Sequence, residues 1–219
     1  MMDLSAINPV LFIAGFFVAA TPLIFAAIGE LVVEKTGVLN LGVEGMMIMG
    51  AICGFATAVE TGSPMLGFVA AAVGGAVLSL LFAFLTQVML ANQVASGLAL
   101  TLFGLGLSAL LGQSYVGVKP PRLGDVDFGP LGDIPVLGPI VLSHDIIVYV
   151  GIALVVTVWA VLKYSRIGLI LRAVGENHDA AHALGFKVKR IRTLAIMFGG
   201  ACAGVGGAYI SLIRVPQWT

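Results

Sequence analysis

Long stretches of this chain contain no charged side chain, and this feature constrains the fold more than any other. No Asp, Glu, Lys or Arg occurs in residues 4–29, 61–118, 146–162 or 193–213. A helix needs about 20 predominantly apolar residues to cross a bilayer, so the longest stretch is sufficient for two crossings. With 59% hydrophobic and 10% charged residues, the composition also differs from that of a soluble domain. The sequence therefore predicts a protein that spans the membrane several times.

Six apolar segments follow one another along the chain, at about 9–28, 38–59, 65–90, 92–111, 146–162 and 193–213. An open strand would leave backbone N–H and C=O groups unpaired in lipid, and the segments alternate too little for a β-barrel. We predict an all-α, polytopic transmembrane helix bundle that forms a single domain over residues 1–219. Because the chain stops at RVPQWT, directly after an apolar segment, we also expect it to be truncated at the C-terminus.

Small residues are spaced for close helix packing inside these segments. Gly50 and Gly54, and likewise Gly200 and Gly204, are four residues apart, a spacing that lets helix backbones approach closely in lipid. We interpret both pairs as packing contacts within the bundle.

Net charge and cysteine content argue against several classes of function. The formal net charge is zero, so the charge balance does not favour nucleic acid as a partner. Cys53 and Cys202 both lie inside apolar segments, where we interpret them as packing residues rather than a disulfide or a metal pair. The sequence predicts no bound metal and no other cofactor.

The distribution of basic residues predicts which side of the membrane each long loop faces. Cytoplasmic loops are enriched in Lys and Arg. The loop at about 163–192 holds seven basic and two acidic residues, so we expect it in the cytoplasm. The loop at about 113–145 is rich in Pro and Gly and has more acidic than basic residues, so we expect it to be extracytoplasmic. Simple alternation then puts the N-terminus outside, whereas one re-entrant segment would reverse this orientation.

Within the basic loop, the stretch RAVGENHDAAHALGFKVKRIR at 172–192 has the signals of a short helix. Asn177 is a suitable N-cap, Asp179 lies near the positive end of the helix dipole, and Gly185 follows where glycine is favoured. A helix over about 177–184 is too short to be stable alone in water. The residues alone leave two interpretations equal: the helix docks in a groove of a partner, or the loop lies on anionic lipid headgroups.

The stretch HDAAH at 178–182 suggests a different function, because it is one residue away from the H-E-x-x-H helix of zinc proteases. An intramembrane zinc protease is therefore an alternative. Asp179, however, is one methylene shorter than the Glu base, and a catalytic zinc needs a third protein ligand. The only other histidine, His144, is expected on the opposite side of the membrane, which makes this the weaker interpretation.

Three motifs resemble one family of transport proteins. GENHDAAHALG at 175–185, followed by FKVKRIR, resembles the cytoplasmic coupling loop of ABC importer permeases, in the branch that includes ribose, nucleoside and branched-chain amino-acid permeases. GVLNLGVEGMM at 37–47 and NQVASGLALT at 92–101 resemble the nucleoside and simple-sugar permeases of that branch. The resemblance extends from about residue 21 to the C-terminus, and the family is several spans longer than this chain.

The resemblance implies a permease subunit of an ATP-binding-cassette importer in the bacterial plasma (inner) membrane. Its implied partners are a cytoplasmic ATP-binding subunit, a second permease subunit that is homologous or identical, and an extracytoplasmic substrate-binding lipoprotein. The chain would not itself be an enzyme, and it contains no G-x-x-x-x-G-K-[ST] motif for holding ATP phosphates. The residues implied to couple to the ATPase are Glu176, Asn177, Asp179, Ala180, Ala181, Leu184 and Gly185.

Polar side chains are rare inside the apolar segments, so each one is a candidate for a substrate pathway. Glu44 is the clearest, because a carboxylate near mid-span costs roughly 2.5–3.5 kcal/mol and should face protein or water and have a partner. Asn92 and Gln93 are expected at a helix start, where capping is the simpler role. The candidates are Asn40, Glu44, Asn92, Gln93, Ser96 and Thr101.

A secondary transporter driven by an ion gradient is a further alternative. Such a protein would need a paired charge or a proton relay inside the membrane. Glu44 is the only acid that the predicted segments place well inside a span, so the sequence offers little support for this alternative.

Overall fold

The computed structural model describes residues 9–124 and 142–218. Within these ranges it contains helices and no β-strand, and an isolated bridge pairs Val116 with Trp218. The α-helices are α1 Pro9–Glu34, α2 Val43–Thr61, α3 Pro64–Ala83, α4 Gln93–Gly112, α5 Ile146–Tyr164, α6 Arg166–Glu176, α7 His178–Ala183 and α8 Val188–Tyr209. Wider or tighter turns extend three of them: π-helical turns Phe84–Val88 after α3 and Ile210–Arg214 after α8, and a 3-10 turn Gln113–Tyr115 after α4.

Six helices of the described part, α1 to α5 and α8, are long and apolar enough to cross a membrane. The all-α fold and the six segments predicted from the sequence are confirmed. Three predicted boundaries are wrong. α8 begins at Val188 rather than at about 193, because Lys189, Arg190 and Arg192 lie inside its first turns. α1 continues to Glu34. Glu30 lies inside this helix and accepts hydrogen bonds from Asn40, so the charge of Glu30 does not end the helix. α2 starts only at Val43, because residues 37–42 form a non-helical segment that begins at Gly37 with φ +77°.

α8 lies at the centre of the bundle, where it contacts α1, α2 and α3. Glycines make these contacts close. A Cβ added to Gly50 would stand 2.6 Å from the carbonyl oxygen of Gly204, and one added to Gly200 would stand 2.6 Å from that of Gly75. One added to Gly54 would stand 3.0 Å from the carbonyl oxygen of Gly67. The predicted packing role of the spaced glycines is therefore confirmed.

The helix directions bring two groups of loops to opposite ends of the bundle. α1 and α8 are antiparallel, since Gly29 lies against Gly199 and Gly206 against Pro22. The start of α8 therefore lies near the end of α1, and both lie at the end that carries α6 and α7; we call this the basic end. Of the loop predicted at 113–145, residues 125–141 lie outside the described residues.

The helix α6 was not predicted from the sequence, which was interpreted there as loop. Ser165 begins it, because its hydroxyl accepts a hydrogen bond from the Gly168 backbone at 3.1 Å. Leu171 and Val174 are buried on one side, while the charged side of Arg172 and Glu176 is exposed. Its mixed composition hides this helix from a search for apolar segments.

Candidate functional site

The short helix α7 has both of the end signals expected from the sequence. The side-chain oxygen of Asn177 accepts hydrogen bonds from the backbone nitrogens of Asp179 at 3.1 Å and Ala180 at 2.9 Å. After the helix, Gly185 has φ +88°, a conformation that strains other residues, and its nitrogen donates to the carbonyl of His182 at 2.9 Å. The predicted N-cap and glycine stop are confirmed, and they limit α7 to about one and a half turns.

One side of α7 is anchored and the other is exposed. Ala181 is 2% exposed and packs in a cluster with Val174 of α6 and Val188 of α8. This placement differs from the expectation that Ala181 contributes to the partner-facing surface, because its side chain holds the helix to the rest of the protein. Ala180 is exposed, and Leu184 is 76% exposed. The residues that remain accessible are Glu176, Asn177, Asp179, Ala180, Leu184 and Gly185.

The unit of α6 and α7 is braced against the connection between α1 and α2. A Cβ added to Gly175 would stand 3.1 Å from the backbone nitrogen of Gly37, so the two backbones are in direct contact. Arg192, in the first turns of α8, donates from its Nε to the carbonyl oxygen of Thr36 at 3.0 Å. A movement of α6 would therefore press on the connection between α1 and α2.

The non-helical segment at 37–42 is held by side chains of two other helices. Glu30 of α1 accepts hydrogen bonds from the backbone nitrogen and from the side-chain nitrogen of Asn40, each at 3.2 Å. The side-chain oxygen of Asn40 in turn accepts from the Gly42 nitrogen at 3.0 Å. Gln93, at the start of α4, accepts from the Leu39 nitrogen at 2.8 Å. Asn40 is buried, so it fixes this segment from within the bundle.

Thr101 of α4 supports the same segment, and two further candidates, Asn92 and Ser96, lie at the start of α4. The hydroxyl of Thr101 is 3.2 Å from the carbonyl oxygen of Leu41, to which it donates. Asn92 caps α4 by accepting a hydrogen bond from the Ala95 nitrogen at 3.1 Å, as expected. Ser96 is buried on the first turn of α4. The structure thus joins Asn40, Gln93 and Thr101 to one irregular stretch of backbone, whereas the hydrogen bond of Asn92 lies within α4.

Glu44 lies apart from this network. We expected it near mid-span with a partner, but it is exposed in the first turn of α2 and makes no hydrogen bond or ion pair within the described residues. The non-helical segment at 37–42 puts Glu44 in the first turn of α2, where it lines the same cavity as Leu23 from the middle of α1, so its depth and its role in a pathway stay a prediction. The positive end of the helix dipole favours a carboxylate at this position.

Glu44 lines a cavity of about 610 Å³ that lies between α1, α2 and the end of α8. Its walls combine apolar and hydrogen-bonding groups, including Glu44, Met47, Ile48, Ser211, Gln217 and Trp218. The sequence analysis missed all of these except Glu44. Ser211 could have been found from the sequence, because it is a hydroxyl inside the last apolar segment. Gln217 and Trp218 could not, because they line the cavity only when the end of the chain lies beside α2.

His144 does not join His178 and His182 of α7. His178 lies 3.5 Å from Asp179, both exposed at the basic end, while Nε2 of His144 lies 3.2 Å from the carbonyl oxygen of Ala14 near the start of α1. Among residues 9–124 and 142–218, no group of three or more His, Cys, Asp or Glu side chains is arranged to hold a metal ion.

Comparisons with known proteins identify the family. The model of the branched-chain amino acid transport system permease component matches residues 12–218. The chain is 38% identical over 204 residues to a putative glucose ABC transporter permease of Haloferax volcanii, a match covering 91% of this chain and 62% of that protein. It is 34% identical over 214 residues to a guanosine ABC transporter permease of Bacillus subtilis, covering 90% and 66% respectively.

A nucleoside ABC transporter permease of Lactococcus lactis is 34% identical over 208 residues, covering 90% of this chain and 65% of that protein. The chain therefore spans somewhat less than two thirds of the length of these relatives. No solved structure matches it. Because the family match extends over nearly the whole chain and six helices are able to cross a membrane, this multi-pass membrane protein belongs to the branched-chain amino acid transport system permease family.

Proposed function

We propose that this chain forms the membrane-spanning permease subunit of an ATP-binding-cassette importer for nucleosides or simple sugars. Three relatives support the cargo class, since their names specify glucose, guanosine and nucleosides. The subunit lies in a bacterial plasma membrane, with the loop at 163–192 in the cytoplasm and the loop at 113–145 outside. This orientation follows the excess of Lys and Arg in the former loop.

The observation that carries the proposal is the continuous contact between α7 and the segment at 37–42. Ala181 fixes α7 to α6, and Gly175 of α6 touches Gly37. From there the backbone leads directly to Asn40 and α2. Force applied to α7 therefore reaches the polar segment through packed groups, as a coupling element between two distant sites requires.

In this proposal a cytoplasmic ATP-binding subunit holds α7 in a groove. The exposed Ala180 and Leu184 enter the groove, and Asp179 and Glu176 supply charge at its edge. Gly185 and Asn177 keep the helix short and rigid by ending it on both sides. ATP is hydrolysed on the partner, and this chain converts the movement of the partner into a change of its helix packing.

The substrate pathway in this proposal includes the cavity beside Glu44. Its carboxylate and the amide of Gln217 accept hydrogen bonds from sugar hydroxyls, and Trp218 offers a ring against which a sugar or base packs. A second permease subunit covers the open side of the cavity, and a substrate-binding lipoprotein delivers cargo from outside. The segment at 37–42 shifts during the cycle and changes access to the cavity.

Transport in sealed vesicles tests the proposal. Right-side-out vesicles should contain the full-length permease with its receptor on the outside and its ATPase and ATP on the inside, and uptake of labelled guanosine and glucose should be measured. We expect uptake to require ATP and to persist when a protonophore or a sodium ionophore collapses ion gradients. Uptake that is independent of ATP and lost with the gradient would contradict the proposal and support a secondary transporter.

A further inference from the structure

An apolar cleft of about 540 Å³ opens between α5 and α8 at the basic end, where α6 contributes to its wall. Its walls include Val158, Leu162, Ile170, Phe186, Ile191 and Phe198. Thr157 is the one lining residue with a polar side chain, and its hydroxyl donates to the carbonyl of Ala153 at 2.7 Å within α5. The cleft therefore offers apolar contact to whatever occupies it.

A smaller cavity of about 330 Å³ adjoins the cleft, and Phe186 lines both. The smaller cavity is strongly basic, since Lys187, Lys189 and Arg190 line it. None of these three cations forms an ion pair within the described part of the chain. The two cavities together thus join an apolar space to a concentration of uncompensated positive charge.

Aromatic side chains locate the same region at the membrane surface. Lys163 at the end of α5 lies 5.0 Å from the ring centroid of Trp159 and 5.3 Å from that of Tyr164. Both rings are exposed, and exposed Trp and Tyr beside Lys are typical of the boundary between lipid tails and headgroups. Leu162, which precedes Lys163, lines the cleft. The cleft therefore extends from the headgroup level into the hydrocarbon layer.

We propose that the cleft and the basic cavity form one binding site for an anionic phospholipid. The acyl chains lie in the cleft between α5 and α8, and the phosphate group lies against Lys187, Lys189 and Arg190. A lipid fits better than a protein partner because these exposed cations border an apolar cleft whose wall continues beside the exposed rings of Trp159 and Tyr164. The site does not depend on which substrate the protein transports.

Lipid binding to the purified full-length protein tests the charged half of the site. Native mass spectrometry should compare phosphatidylglycerol with phosphatidylcholine, for the unmodified protein and for the double variant Lys187→Gln with Arg190→Gln. Two cations near an anionic headgroup contribute on the order of thirtyfold in affinity, so we expect phosphatidylglycerol binding to weaken by about that factor. The matched control is Lys119→Gln with Arg122→Gln, which removes the same charge at the opposite end of the bundle and should leave binding unchanged.

A second pair of variants tests the apolar half. Thr157→Trp fills the cleft from its exposed side and should reduce phosphatidylglycerol binding at least tenfold, whereas Val156→Trp on the neighbouring face of α5, outside the cleft, should not. Phosphatidylglycerol binding unchanged by either the charge or the cleft variant would overturn the proposal. So would a charge variant that keeps its lipid but releases the ATP-binding subunit, since the cations would then belong to a protein interface.

Discussion

Replacing Gly50 with Ala puts a methyl group into the seam between α2 and α8. The new Cβ would stand 2.6 Å from the carbonyl oxygen of Gly204, about 0.8 Å short of the 3.4 Å at which ordinary contact begins. Both sides of this contact are backbone, so no rotamer change relieves it. The helices must separate, and forced overpacking of this kind costs about 1–3 kcal/mol.

Gly106→Ala is the matched control for this variant. Gly106 also lies inside a helix, but a Cβ added there has no atom within 4 Å. Both variants gain the same helix propensity, roughly 0.5–1 kcal/mol, so their difference in unfolding free energy isolates the contact. The difference should be about 1–3 kcal/mol when unfolding is followed in mixed detergent micelles. Equal stability of the two variants would refute the packing described for α2 and α8.

Three further variants test the candidate site. Asn177→Ala removes both N-cap hydrogen bonds of α7 and should lower the local stability of this helix by about 1 kcal/mol. Hydrogen exchange in α7 should therefore rise roughly fivefold while the melting temperature of the bundle stays constant. Unchanged exchange would contradict the cap. Asn40→Ala removes the side-chain donor to Glu30 and the side-chain acceptor of the Gly42 nitrogen but keeps the backbone donor, and it should lower stability by about 1–3 kcal/mol. Glu30→Gln, which keeps an acceptor, should lower it less, and the reverse order of the two melting temperatures would contradict the network. Glu44→Ala should change the free energy of unfolding by under about 0.5 kcal/mol, because the side chain has no partner in the described structure. The same variant should reduce substrate uptake, since Glu44 lines the cavity. Full uptake would show that Glu44 is not part of the pathway.

Signals that lie close together in the sequence predicted much of this structure. Gaps between charges predicted six spans, and residue types at helix ends predicted the caps at Asn92, Asn177 and Gly185. Each of these features depends on hydropathy over one segment or on hydrogen bonds within four residues. They persist whatever the rest of the chain does.

Features that depend on chain reversal were not predictable in the same way. The pair of Glu30 and Asn40 forms because the chain turns back at Gly37 and brings α1 beside the segment at 37–42. The burial of Ala181 likewise requires α6 and α8 on either side of α7. Trp218 lines the cavity beside Glu44 only because α8 ends next to α2. No pattern within a short stretch of the sequence indicates these contacts.

Site-directed crosslinking tests the central claim, that α7 couples this chain to a separate ATPase. In full-length protein lacking Cys53 and Cys202, Ala180→Cys places a thiol on the exposed side of α7, and Ala181→Cys places one on the buried side one residue away. We predict that Ala180→Cys crosslinks to the ATP-binding subunit and that Ala181→Cys does not. Absence of a crosslink from Ala180→Cys, or its labelling from outside intact cells by a membrane-impermeant reagent, would contradict the account.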